Sequence, residues 1–252
     1  MTKTIAIVNQ KGGVGKTTTA INVGAQLAAE GADVLLVDLD PQGNATSGLG
    51  LSKEHGGQGT YDTLCKAAPL KSAIHKTHIK KLSVMPANAD LAGAEVELVG
   101  RQHREFALRK VLEGAAYDVI IVDCPPSLGL LTINGLTAAD SVLIPVQAEY
   151  YALEGLSQLL NTVQAVRSST NPHLELIGVA VTMFDKRNSL SEQVHAEIAN
   201  YFGDKLFKTM VPRNVRLAEA PSYGRTIYEH DRWSKGARAY KALAKEVKDR
   251  LD

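Results

Sequence analysis

The sequence predicts an α/β fold in which one mostly parallel, twisted sheet is flanked by helices on both faces. Three observations lead there. Short apolar runs rich in β-branched residues recur along the chain, continuous rather than alternating, as in strands buried on both faces of a parallel sheet. Segments of helical spacing separate them, which calls for right-handed crossovers and places helices on either side. The first run leads directly into "NQKGGVGKTTTA" (9–20), a Gly-rich turn that opens a helical pattern.

The elements follow in order. "TIAIVN" (4–9) is the first strand, and "TTTAINVGAQLAAEG" (17–31) the first helix, with Ala20, Val23, Gly24 and Leu27 on one stripe and Gly31 as its stop. "VLLVDL" (34–39), "LSVMPA" (82–87), "YDVIIVD" (117–123), "SVLIPV" (141–146) and "LIGVAVTMF" (176–184) are the further strands, with one more short strand expected just before position 211. "REFALRKVLEGA" (104–115), "YALEGLSQLLNTVQAV" (151–166) and "LSEQVHAEIANYF" (190–202) have helical spacing. The Gly-rich stretch at 50–60 predicts a mobile surface loop, and the basic run at 71–81 a plain surface segment. Neither a repeat nor a Pro/Ser linker divides the chain, so a single domain over 1–252 is expected.

Bulk composition narrows the function classes. The 28 Lys and Arg residues nearly cancel 27 Asp and Glu, so any nucleic-acid surface must come from local clustering. Cys65 and Cys124 are far apart and lack C-x-x-C spacing, which fits a reducing cytosol rather than a disulfide framework or metal site. With no leader-like segment and no apolar run near the ~20 residues of a membrane span, a soluble cytosolic protein is expected.

The chemistry concentrates at the Gly-rich turn. The usual phosphate loop, G-x-x-x-x-G-K-[ST], would put a glycine at position 10; here Gln10 stands there, followed by Lys11. Gly12, Gly13 and Gly15 let the chain curl so that N–H groups point at phosphate oxygens, and the following helix dipole adds to that field. Lys16 can bridge the terminal phosphates, the Thr17 hydroxyl can ligate Mg²⁺, and Thr18 can reach an α-phosphate. "VLLVDLDPQGN" (34–44) ends a strand with Asp38 and Asp40 on one side, at the sheet edge where ligands bind. One can support Mg²⁺ or its waters and the other can position the attacking water. In "YDVIIVDCPPS" (117–127), Asp123 closes an apolar strand and can hold a Mg²⁺-bound water near Thr17, while Pro125 and Pro126 stop the strand. Cys124 reads as a small buried residue. Toward the C-terminus, Lys208, Arg213, Arg216, Arg225, Arg232, Lys235, Arg238 and Lys241 outnumber Glu219, Glu229 and Asp231, a density able to follow a phosphate backbone without reading base edges.

"KGGVGKTT" resembles the deviant Walker A motif of the ParA and MinD ATPases, in which a lysine ahead of the glycines replaces the first glycine. "DPQGNATSGLG", "LAGAEVEL", "PPSLGLLTINGLTAADSVLIPVQAEYYALEGLSQLL" and "VPRNVRLAEAPSYG" extend the likeness to the ParA/Soj group over nearly the whole chain. The resemblance implies a Mg²⁺-dependent ATPase of chromosome or plasmid partitioning, binding ATP or ADP through Lys11, Gly12, Gly13, Val14, Gly15, Lys16, Thr17, Thr18, Asp38 and Asp123. It implies that Lys11 reaches across a homodimer interface to the partner's nucleotide, that Lys11, Lys16 and Asp40 act in hydrolysis with Asp40 orienting water, and that Asp38 supports the metal region. Pro212 and Asn214 fall in the segment that supplies the adenine pocket. Arg187, Arg216 and Lys235 are the implied contacts to non-specific double-stranded DNA. A ParB-type centromere-binding protein would stimulate hydrolysis, in a cytoplasmic, nucleoid-associated setting.

Two rivals stand beside this reading. A MinD-like, membrane-recruited ATPase would need a C-terminal amphipathic helix with bulky apolar residues; "KGARAYKALAKEVKDRLD" has Tyr240, Leu243, Val247 and Leu251 at helical spacing but no Trp, Phe or Ile, so the stripe reads as packing. A reductase of the nitrogenase iron-protein sort would need paired cluster cysteines, which Cys65 and Cys124 do not provide. The short stretch before "TIAIVN" leaves no room for a helix-turn-helix, so operator-specific repression is not expected.

Overall fold

The computed structural model describes residues 2–54, 57–149 and 152–251. Strands β1 (Lys3–Ile7), β2 (Val34–Asp38), β3 (His75–Lys76), β4 (Leu82–Met85), β5 (Val119–Asp123), β6 (Ser141–Gln147) and β7 (Glu175–Thr182) form one sheet in the order β3-β4-β2-β5-β1-β6-β7. Every pairing is parallel except β3 with β4. Between and after the strands lie α1 (Lys16–Ala29), α2 (Asn44–Gly48), α3 (Thr60–Cys65), α4 (Leu70–Ala73), α5 (Leu91–Val99), α6 (Ala107–Leu112), α7 (Leu130–Ala138), α8 (Ala152–Ser169), α9 (Ser189–Phe202), α10 (Val215–Glu219), α11 (Ile227–Asp231) and α12 (Lys235–Leu251).

Alternation along the strands splits the core into two layers. Ile5, Ile7, Val34, Leu36, Ile121 and Leu143 face α1 and α12, whereas Ala6, Val8, Leu35, Val37, Ile120 and Val122 face α5, α7, α8 and α9. Strands with apolar residues on both sides are what a helix-covered parallel sheet requires. The C-terminal helix belongs to the first layer: Tyr240, Leu243 and Val247 are buried with Ala20, Val23 and Leu27 of α1, and the Tyr240 hydroxyl lies 3.1 Å from Thr19 Oγ1. Its apolar stripe therefore packs inward. Leu243→Ala is expected to destabilise the fold by about 2–5 kcal/mol, because the site is fully enclosed and cannot collapse on a cavity; an unchanged urea midpoint would count against that packing.

The six long strands lie where the apolar runs predict them, within about two residues. The edge strand β3 falls inside the basic run read as plain surface. The expected strand before position 211 does not form a ladder. Val211 N–H donates to Val181, Phe184 N–H to Val211 and Arg213 N–H to Phe184, but these bonds close only an isolated parallel bridge between Phe184 and Pro212. The helix expected over 104–115 is shorter, a 3₁₀ turn at Arg104–Phe106 followed by α6. The loop expected at 50–60 lies between α2 and α3; its residues 55 and 56, like the expected helix start at Tyr151, lie outside the described residues.

Register fixes the site. Asp38 at the end of β2 and Ile7 at the end of β1 both pair with Asp123 at the end of β5. The turn leaving β1 thus rises beside two carboxylates, at the carboxyl edge where β1's neighbours β5 and β6 diverge.

Candidate active site

Residues 9–15 form the loop. Asn9 is buried, its amide donating to the Pro145 carbonyl at 2.7 Å and its oxygen accepting from Lys11 N–H at 2.9 Å, which anchors the base of the turn to β6. Gly13 and Gly15 have φ of 75° and 88°, the left-handed region that side chains disfavour, and Gly15 caps α1. The Thr182 hydroxyl donates to the Val14 carbonyl at 2.8 Å, pinning the loop to the end of β7. The N–H groups of residues 12–15 donate to no acceptor among the described residues. A curl of unengaged donors at a helix N-terminus is an anion cradle. Val14 itself is 1% exposed, so its part in the cradle is through the main chain.

Lys16 is buried at the first turn of α1, with its ammonium 3.2 Å from the Lys11 carbonyl. Burial pulls its pKa below the ordinary lysine value, and the neighbouring Asp123 and Asp40 pull the other way. Thr17 and Thr18 line the same cleft.

The three aspartates separate by their partners. Asp38 is fully buried; Thr46 donates to it from both N–H (2.8 Å) and hydroxyl (2.7 Å), and Asp40 N–H donates at 3.2 Å. Burial pushes its carboxyl up to about 6 against those donations. With both oxygens accepting, Asp38 shapes the loop that carries Asp40. Asp40 accepts from Gln42 N–H at 2.9 Å through one oxygen and lines the cleft. Asp123 is the outlier: both its oxygens are buried without a hydrogen-bond partner among the described residues. Burial, with the Asp38 charge beside it, drives its pKa well above the carboxylate range, while the Thr17 hydroxyl and Lys16 pull it down. A buried carboxylate without a partner beside a threonine hydroxyl fits Mg²⁺, and Thr17 and Asp123 are the residues that would hold it.

The cleft above the loop holds about 440 Å³, with walls that include Gln42, Asn44 and Arg225. It shares Gly15, Thr18, Met183, Leu217 and Ala218 with a second, mainly apolar pocket of about 390 Å³ lined by Val211, Pro212, Asn214 and Tyr240. Pro212 and Asn214 both line this second pocket, and Pro212 also borders the groove described below. The Asn214 oxygen caps α10 by accepting from Arg216 N–H at 2.8 Å. Sequence reading missed Asn22, which joins the cleft to the C-terminal segment by donating to the Thr18 carbonyl and accepting from Ile227 N–H. A buried asparagine within the Ala/Val stripe of α1 was the available signal.

The remaining candidates scatter. Lys11 lies on the rim, paired with Glu149 beyond β6 and half-exposed. Arg187 and Lys235 line one groove of about 700 Å³ together with Lys186, Arg213 and Arg238. Arg216 is not in that groove; it is bound to Glu219 at 2.8 Å and lies 3.9 Å from Asp231. Cys124 is buried, and no cluster of three or more metal-ligating side chains occurs among the described residues. Nor is any described helix long and apolar enough to cross a membrane.

A parallel sheet with a lysine-bearing phosphate loop after β1 and aspartates closing β2 and β5 defines a P-loop nucleotide-binding protein of the deviant Walker A type. The family profile described as an AAA domain matches residues 2–176. Over 98% of both chains, the sequence is 58% identical to the sporulation initiation inhibitor protein Soj of Bacillus subtilis, and it is 53% identical to the chromosome partitioning protein ParA of Myxococcus xanthus over 98% of this chain and 88% of that one. The chain belongs to the ParA/Soj family of chromosome-partitioning ATPases. Among solved structures, one described as cobyrinic acid a,c-diamide synthase from Mycobacterium smegmatis with bound ADP and magnesium matches with TM-score 0.85 and 40% identity, covering 97% of this chain and 93% of that one.

Proposed function

We propose that this protein is an ATP hydrolase of DNA partitioning, in which ATP with Mg²⁺ joins two copies, the ATP-bound pair holds double-stranded DNA without sequence preference, and a ParB-type partner stimulates hydrolysis to release it. The observation that carries this is the orphaned Asp123 carboxylate beside Thr17, at the foot of a loop of unengaged N–H donors. Soj and ParA relatives at 58% and 53% identity support the partitioning role. The solved neighbour carries the name of a synthase, so its bound ADP and magnesium support the nucleotide site and not the use made of ATP.

Each residue's part follows from its place. The loop N–H groups and Lys16 bind and orient the phosphates. Thr17 and Asp123 would hold Mg²⁺ on this chain, and the ion would supply neutralisation of phosphate charge there. Asp40 has one oxygen occupied by Gln42 and the other available to orient a water and take its proton. Lys11, on the rim, is placed to meet a second copy; its present partner Glu149 is exposed enough to exchange. The apolar pocket holding Pro212 and Asn214 suits a flat base. A membrane-recruited role has less support, because the apolar stripe of α12 is already buried against α1.

The test is DNA binding with ADP, ATP and a non-hydrolysable analogue, across a salt series. Binding confined to the triphosphate states, with log K falling linearly in log salt, is expected; equal binding in all states would sink the proposal. Within it, Arg187→Glu is expected to weaken duplex binding about tenfold and flatten the salt slope by about one. Arg216→Glu should act less, since its charge is already held by Glu219; the reverse ranking would move the DNA surface away from the groove.

A further inference from the structure

The molecule's single tryptophan, Trp233, is 76% exposed and plays no part in either core layer. It is held in place all the same. Asp231 accepts its N–H at 3.1 Å through a side-chain oxygen, the Asp231 carbonyl accepts from Ser234 N–H and hydroxyl, and Ser234 Oγ in turn accepts from Ala237 N–H at 3.0 Å within the first turn of α12. The Arg232 guanidinium lies 4.8 Å from the indole centroid, a cation–π contact that covers one part of the ring system. Two residues further on, Lys235 begins the wall of the basic groove with Lys186, Arg187, Arg213 and Arg238. The one acid in that wall, Asp185, accepts from Arg187 N–H at 3.0 Å and so is engaged in its own turn.

A large exposed apolar ring with Arg232 against it and Lys235 two residues on, its backbone held by the Asp231 carboxylate, has a restricted set of partners. An apolar protein surface would have to desolvate Arg232 and Lys235 without compensation. A polyanion made of flat apolar plates separated by phosphates satisfies both the ring and its neighbours. We propose that Trp233, backed by Arg232, is a base-stacking contact at the end of the DNA groove, so that this protein binds DNA presenting an exposed base face more tightly than closed duplex. The inference rests on the DNA reading above and adds to it a preference that phosphate contacts alone do not create. A paired base inside a duplex hides both faces; an unpaired one can lie on the indole, a contact worth about tenfold or more in affinity.

Because the chain has one tryptophan, its fluorescence reports this position alone. The full-length protein with a non-hydrolysable ATP analogue is titrated with labelled single-stranded DNA, a duplex of equal charge closed into a hairpin at both ends by non-nucleotide linkers, and the same hairpin carrying one bulged base. Anisotropy of the label reports binding, and Trp233 emission reports stacking. The expected result is strong quenching by the single strand and the bulged hairpin, weak quenching by the closed hairpin, and tighter binding of the first two. Trp233→Ala should lose about tenfold affinity for them and little for the closed hairpin, with Trp233→Phe recovering most of the loss. Binding of all three DNAs with unchanged emission, or equal effects of Trp233→Ala on all three, overturns the stacking inference and leaves the DNA reading standing. Silent anisotropy with every DNA overturns both.

Discussion

Lys16→Ala is expected to lower affinity for ATP by a hundredfold or more. The ammonium sits at the foot of the cleft against the loop, 3.2 Å from the Lys11 carbonyl, and among the described residues no other lysine lines that cleft. Charge-assisted contacts to phosphate contribute about 1.5–3 kcal/mol each, and one buried lysine can make two. A second effect adds in the same direction. Asp40 and Asp123 lie close enough to act on the Lys16 charge, and without it they would face an incoming triphosphate uncompensated. Titration of a fluorescent ATP analogue with Mg²⁺ measures the change, and a thermal melt confirms that the variant is folded. A dissociation constant within threefold of the unaltered protein's would show that the loop does not cradle phosphate as assigned.

Asp40→Ala should separate binding from turnover. Among the described residues the side chain's one hydrogen-bond partner is Gln42 N–H, which belongs to an exposed residue, so its removal costs the fold little. What it removes is the carboxylate available to a nucleophilic water. The expected result is a fall in kcat of about 10²–10⁴ with ATP affinity within a few-fold. Sizing chromatography with ATP should then retain a long-lived dimer that the unaltered protein loses as it hydrolyses. Undiminished turnover would exclude Asp40 as the water-orienting group. Only monomer in the presence of ATP would count against the nucleotide joining two copies.

The long strands and the loop were legible because each writes a local pattern: a continuous β-branched run, a terminal aspartate, glycines before a lysine. The burial of α12 was legible too, from the spacing of Tyr240, Leu243 and Val247. What escaped was short or remote. Two residues of β3 carry no period, and α2 and α3 are too short to show a stripe. The engagement of Asp38 by Thr46 depends on a five-residue helix folding back eight positions later. The Lys11–Glu149 pair joins residues 138 apart, and the Thr182 hydroxyl reaches Val14 across 168. Contacts of that span arise from sheet register, which apolar runs do not encode residue by residue. The basic C-terminal segment was readable as charge only. Folding sorts it, setting Lys235 in the groove and tying Arg216 to Glu219.

On α12, Arg238 and Tyr240 are two positions apart and point to different tasks, the guanidinium lining the basic groove and the phenol reaching Thr19 just behind the phosphate loop. A rod of 17 residues clamped in this way transmits tilt as a lever does. Mutational drift that resettles the phenol swings the guanidinium, and insertions or deletions near either one disturb both. The two surfaces are soldered to the same beam, so neither is free to evolve alone.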